Sequence, residues 1–102
     1  MLNDELLKIA KSHEEDIENI ENVSEFLDNV LEIKRTQSLV NGKWETTEYE
    51  LLLAFGGPNV WLNTSGYLTV SWASTPLEYP LSKKARKKLE EIEDYLNEIW
   101  GG

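Results

Sequence analysis

The sequence predicts an α+β domain: an N-terminal helix or helices, a four-stranded antiparallel meander and a C-terminal helix, with the helices packed on one face of the sheet. Three observations carry this reading. Apolar residues recur at helical spacing up to about position 31, the period then switches to alternation, and helical spacing returns over 85–99. With 102 residues, the chain has the size of one domain, and residues 1–102 are expected to share a single core that needs no staple.

In the first segment Leu2, Leu6, Ile9 and Ala10 form a short helical lead-in. Ser12 followed by Glu15 has the spacing of a capping box, in which hydroxyl and carboxylate satisfy orphan backbone donors, so the main helix is expected to start at His13. On a wheel of about 100° per residue, Ile17, Ile20, Val23, Leu27, Val30 and Leu31 fall on one side. Asn22 and Ser24 are residue types able to break this helix and recap it.

Leu31, Ile33, Arg35, Gln37 and Leu39 then share one parity up to Asn41-Gly42, a pair suited to a type I′ turn because both central residues take positive φ. A two-residue turn there pairs Leu39 with Trp44 and Arg35 with Glu48. The next strand, over 45–55, ends in Leu-Leu-Leu-Ala-Phe, a run that reads as buried on both sides and central in the sheet. Gly56-Gly57 follows it. A phosphate-binding loop would need a lysine and a hydroxyl behind the last glycine and a helix starting there. Pro58 and the strand-like Asn-Val-Trp-Leu-Asn come instead, so the glycines are read as a turn or bulge. Asn-Thr-Ser-Gly before Tyr-Leu-Thr-Val-Ser-Trp makes a second hairpin. Thr75-Pro76 and Tyr79-Pro80 read as an irregular connection. Ser82 caps the last helix, which places Ala85, Leu89, Ile92, Leu96 and Ile99 on one face and stops at Gly101.

Charge is the unusual quantity. The net charge is −9, and residues 1–32 hold ten acids against two bases, while 33–81 hold four against three and 82–102 five against five. Such a surface repels nucleic acid and anionic membranes and steers toward a basic partner. Glu14, Glu18, Glu21, Glu25, Asp28 and Glu32 recur at i+3 or i+4, with no lysine or arginine between Lys11 and Lys34. On one helix this row would cost roughly 1 to 2 kcal/mol in like-charge repulsion. It reads either as a solvated face or as a partial imitation of a nucleic-acid backbone. Its density is one charge per about 5.4 Å of helix, against one per about 3.4 Å of a DNA strand. The last helix opposes its own dipole, since Lys83, Lys84, Arg86, Lys87 and Lys88 precede Glu90, Glu91, Glu93, Asp94 and Glu98. Docking of its basic turns beside the acidic helix, pairing along the helix, or an anion-binding patch would each offset this.

Trp61, Tyr67 and Trp72 on the second hairpin read as core packing or as a stacking platform, and an outward Trp44, Trp61 or Trp72 becomes an interface anchor. Catalytic material is scarce. The single histidine, His13, has no nucleophile motif beside it, there is no cysteine, and Glu14, Glu15 and Asp16 point in different directions on a helix. No enzyme activity, cofactor or metal is therefore expected. The acidic opening segment is not that of a signal peptide, and no apolar run approaches the roughly 20 residues of a membrane span, so a cytoplasmic protein without membrane contact is expected. The terminal Gly101-Gly102 reads as a helix stop or as residues added in cloning, not as a ubiquitin-like tail.

The stretch Tyr-Glu-Leu-Leu-Leu-Ala-Phe-Gly-Gly-Pro-Asn-Val-Trp-Leu-Asn, with the later Gly-Tyr-Leu-Thr-Val-Ser-Trp, covers 49–72. It resembles a strand-turn-strand motif of small uncharacterised proteins encoded by phages and mobile genetic elements. The resemblance implies a neighbourhood rich in small acidic inhibitors of host defence, of the anti-CRISPR or anti-restriction type. Together these readings give a non-enzymatic inhibitor that contacts a basic, nucleic-acid-binding host protein through Glu14, Glu18, Glu21, Glu25, Asp28, Trp61 and Trp72. It would bind no nucleic acid itself. The alternative is a structural or adaptor module that oligomerises through hairpin aromatics.

Overall fold

The computed structural model describes residues 2–72 and 75–100, and Gly101-Gly102 lies outside the described residues. The order is α1 (Leu2–Glu18), α2 (Val23–Asp28), β1 (Glu32–Val40), β2 (Lys43–Ala54), β3 (Asn59–Asn63), β4 (Tyr67–Trp72), β5 (Thr75–Pro80) and α3 (Lys83–Trp100). The fold is α+β, as the periodicity predicts, but the antiparallel sheet has five strands in the order β1-β2-β3-β4-β5, not four.

α1 runs unbroken through Ser12, so the expected start at His13 is corrected. Leu6, Ala10 and Ile17 are completely buried along one stripe, and this anchorage holds the helix continuous through the capping-box sequence. Its end is local: the Asn19 backbone N–H and side-chain amide both donate to the Glu15 carbonyl, at 3.1 and 2.9 Å, and the Ile20 N–H turns to the Ile17 carbonyl at 3.2 Å, which tightens the last turn. Asn22 then caps α2, its side-chain oxygen accepting from the Glu25 N–H at 3.1 Å. The break that Asn22 made available is thus taken.

β1 and β2 form the expected hairpin, with Asn41 and Gly42 at φ 50° and 79°, and Leu39 faces Trp44. Arg35 faces Tyr49, however, and Glu48 lies opposite Thr36, because Thr47 is an extra residue on β2. The Thr47 hydroxyl donates to the Thr36 carbonyl at 3.2 Å and fixes this bulge. In the Leu-Leu-Leu-Ala-Phe run, Leu51 and Leu52 are buried on opposite faces while Phe55 is 76% exposed. β2 is interior, but the central strand is β3.

The supposed irregular connection is strand β5, paired with β4 from Trp72↔Thr75 to Tyr67↔Pro80. The Leu81 N–H donates to the Gly66 carbonyl at 3.0 Å. By alternation the odd residues of β5 face β4, and Pro76 and Pro80 stand where the backbone faces outward, which is where an edge strand tolerates proline.

Paired residues share a face of the sheet, so Ile33, Leu51, Leu62, Leu68 and Tyr79 form one row, with Val60, Val70 and Leu77 beside it. These side chains join Leu6, Ala10, Ile17 and Ile20 of the N-terminal segment and Ala85, Leu89, Ile92 and Leu96 of α3 in a single cluster. α1 meets α3, β4 and β5, while α2 meets α3. The β1–β2 hairpin extends beyond this body as an arm: from Lys34 to Thr47 no residue is fully buried.

Candidate functional site: the acidic corner and the hairpin arm

The acids that the sequence aligns along one helix are divided by the fold. Glu14 and Glu18 turn toward the start of α3. Glu14 accepts from the Tyr79 hydroxyl at 3.0 Å and from the Ser82 N–H at 2.8 Å, and the Ser82 hydroxyl bonds Glu18 at 2.5 Å. The same hydroxyl caps α3 by accepting from the Ala85 N–H at 3.1 Å. Two carboxylates of α1 thereby supply the negative charge that the first turn of α3 lacks in its own sequence, offsetting the lysines crowded against its dipole. Burial is the main reason the Tyr79 hydroxyl has a raised pKa, and its bond to Glu14 adds to the shift.

Glu21, Glu25 and Asp28 remain exposed on the corner formed by the end of α1, the connecting turn and α2. Since α1 ends at Glu18 and α2 starts at Val23, they do not continue the line of Glu14 and Glu18 on one helix. The straight anionic ridge is corrected to a shorter acidic corner. Asp16, Glu21 and Glu25 border a shallow depression there with Asn19, Asn22 and Asn29. A neighbouring cleft of about 300 Å³ is lined by His13, Asp16, Phe26, Asn29, Val30 and Leu53. Burial lowers the His13 pKa, and the attraction of Asp16 opposes it without reversing it. No hydroxyl or thiol nucleophile lines this cleft, and among the described residues no three His, Asp or Glu side chains gather as metal ligands.

The tryptophans are also separated. Trp61 is partly buried, with the Lys34 ammonium 4.6 Å from its ring centroid. Tyr67 shares that face of the sheet, where burial, followed by Glu48, Glu78 and Glu50, raises its hydroxyl pKa. Trp72 has the parity of Leu68 and Val70, so it lies on the other face, exposed at the end of β4. Trp61, Tyr67 and Trp72 therefore form no common platform. On the arm, Trp44 is 63% exposed beside Leu39 at 59%. At the end of α3, Ile99 and Trp100 are exposed as well, and the Trp100 ring lies 6.0 Å from that of Tyr49 at the root of the arm. Leu39 and Val40 are exposed apolar residues on opposite faces of β1 that the alternation does not single out as contacts. For Leu39 the signal was present, since it continues the parity of Ile33 into a segment, Lys34 to Thr47, where no residue is fully buried.

The two glycine turns are held by local contacts. Asn59 accepts from the Gly56 N–H at 2.9 Å and closes the Gly56–Pro58 turn. Gly66 has φ 127°, and a Cβ there would lie 3.3 Å from Arg86 of α3. Lys83, Arg86 and Lys87 line an open depression with Glu90, and Lys88 pairs with Glu91 at 3.4 Å. Among the described residues, no helix is long and apolar enough to cross a membrane. Compared with known proteins, the chain matches no family model, no curated sequence and no solved structure.

Proposed function

We propose that this chain is a small acidic binding protein without catalytic activity. It acts by protein–protein contact on a basic surface of a nucleic-acid-binding protein, as an anti-CRISPR or anti-restriction inhibitor would. Both long helices cover the sheet face that carries Leu51, Leu62 and Leu68, and the acidic corner projects beside that layer. The observation that supports this reading best is the exposure of Glu21, Glu25 and Asp28 in a segment without a lysine or arginine from Lys11 to Lys34. Glu14 and Glu18 contribute less to a partner than the sequence suggests, because both Glu14 oxygens and one Glu18 oxygen are engaged inside the fold. Imitation of a nucleic-acid strand is correspondingly short, and the corner serves mainly to steer and orient a cationic partner. The resemblance of 49–72 to phage and mobile-element proteins fits a host defence protein as that partner.

The test is affinity capture from cells of the organism that carries the gene, followed by salt titration of the recovered pair. The wild type retains a basic nucleic-acid-binding protein. The triple change Glu21→Gln, Glu25→Gln and Asp28→Asn releases it at lower salt with a flatter salt dependence. Equal retention by the triple variant would show that the acidic corner is not the contact surface.

A second reading, oligomerisation through hairpin aromatics, is favoured by the exposure of Trp44.

A further inference from the structure

The outer edge of β1 is a nine-residue strand without proline or an inserted residue of its own, since the bulge belongs to β2. Its backbone orientation follows from Tyr49. Tyr49 directs its N–H to the Thr64 hydroxyl at 2.9 Å, and its carbonyl accepts from the Thr64 N–H at 3.0 Å, so both backbone groups face β3. Arg35 is the partner of Tyr49 in the ladder. In an antiparallel pair the two partners either both face each other or both face away. Arg35 therefore turns its N–H and C=O to the open edge, and by alternation so do Ile33, Gln37 and Leu39. No other element has β1 as a main neighbour except β2.

We propose that β1 is a dimerisation edge that pairs antiparallel with β1 of a second copy of this chain, making a continuous ten-stranded sheet. This deepens the second reading above, on which it rests for the exposed Trp44, and is independent of the acidic corner. Among two-fold registers that bring outward backbone groups opposite each other, the one centred on Thr36 joins Ile33 to Leu39 of the second copy and Arg35 to Gln37. On the other face it joins Lys34 to Ser38 and Glu32 to Val40. No like charges meet. A register centred one residue earlier would set Arg35 against Arg35, and one centred a residue later would set Arg35 against Leu39.

The Thr36 register also accounts for the bare apolar residues of the arm. Trp44 and Leu39 fall into line with Ile33, Leu51 and Leu62 of the second copy, so the row that forms the core of one body continues across the junction. Charge selects the same surface. Most of the excess negative charge lies in residues 1–32, whereas the 33–47 arm holds Lys34, Arg35 and Lys43 against Glu45. Two strongly acidic chains can approach through this arm with the least repulsion. The free edge at the other side of the sheet is closed to the same reaction, because Pro76 and Pro80 occupy its outward positions.

The absence of cysteine permits a direct test of the register. In the proposed dimer Thr36 meets its own counterpart at a pair without ladder hydrogen bonds, where Cα atoms stand about 4.5 Å apart, within disulfide range. Thr36→Cys should cross-link rapidly under mild oxidation and Ser38→Cys should not. Sedimentation of the wild type should give twice the 11.8 kDa chain mass at micromolar concentration. Gln37→Pro, which copies the device of β5, should give the single mass with an unchanged circular dichroism spectrum. A wild type that stays monomeric up to millimolar concentration without Thr36→Cys cross-linking would overturn the proposal. Preferential cross-linking at Ser38 would overturn it too, since the register would be wrong even if Gln37→Pro failed to fold.

Discussion

β5 and β1 are both edge strands of one sheet, yet β5 is tied down and blocked while β1 is neither. β5 turns Pro76 and Pro80 outward, and its end is fastened by Tyr79 and the adjoining Ser82 to Glu14. β1 presents unblocked backbone, and its arm carries Leu39 and Trp44 in the open. The same residue types are therefore core in one region and surface in the other, according to whether the rest of the chain covers them. The body of the molecule gathers most of its apolar residues into one cluster, whereas the arm leaves Leu39 and Trp44 uncovered.

The largest expected effect contrasts these two regions directly. Leu62→Ala removes a fully buried side chain and should cost about 2–5 kcal/mol of unfolding free energy. Leu39→Ala, measured in dilute solution, should change it by less than about 0.5 kcal/mol. Equal costs in urea unfolding would mean that the arm is packed and the contrast is false. Next, Ser82→Ala removes the α3 cap and the partner of Glu18 and should cost about 1 kcal/mol. A change of similar size and opposite sign is expected on the arm. The Thr46 hydroxyl oxygen is buried without a hydrogen-bond partner, so Thr46→Val should stabilise by about 0.5–1 kcal/mol, because a buried unpaired polar group is costly. Thermal melts of these two variants test whether the tied side is strengthened by its polar contacts and the arm is weakened by its own.

The smallest effect is a pH dependence at the cleft. Burial lowers the folded pKa of His13 below its ordinary 6.5, so the unfolded chain takes the proton first. Its contribution to stability is complete above about pH 6.5 and is lost as pH falls toward the folded value. Glu93 acts in the opposite sense. Its pKa is raised above 4.5, chiefly by burial and also by Asp94, Glu90 and Glu48, against a lowering by the Thr64 hydroxyl. The folded chain therefore takes that proton first, and acidification toward 4.5 favours folding at this residue. Between pH 7 and 6, His13→Gln should remove the decline in unfolding midpoint expected of the wild type. An unchanged decline would place its origin elsewhere.

Much of the fold was legible because it rests on local chemistry. Asn41-Gly42 specifies the first turn and the pairing of Leu39 with Trp44, Asn22 caps α2, and of the α3 stripe Ala85, Leu89, Ile92 and Leu96 face the core while Ile99 is exposed. What escaped depends on neighbours remote in sequence. Alternation alone does not show an extra residue, so the bulge at Thr47 and the resulting partner of Arg35 were invisible. Pro76 and Pro80 look like strand breakers until β4 fixes which parity faces outward. The row of acids looked like a solvent face because spacing does not say what docks on it. The clue to Glu14 and Glu18 lay in α3, whose first turn carries lysines and no acid although its dipole calls for one. Trp61 and Trp72 gave no such clue, since their separation onto two faces follows only from the ladder.

Residue-resolved amide hydrogen exchange over a range of protein concentrations tests the contrast between the edges most directly. Ile33, Arg35, Gln37 and Leu39 should exchange freely in dilute solution and become protected as concentration rises, while Leu51, Leu62 and Val70 stay protected throughout. Protection of the four β1 amides that is already full in the dilute monomer, or that never appears at any concentration, would contradict an open edge completed by a second copy.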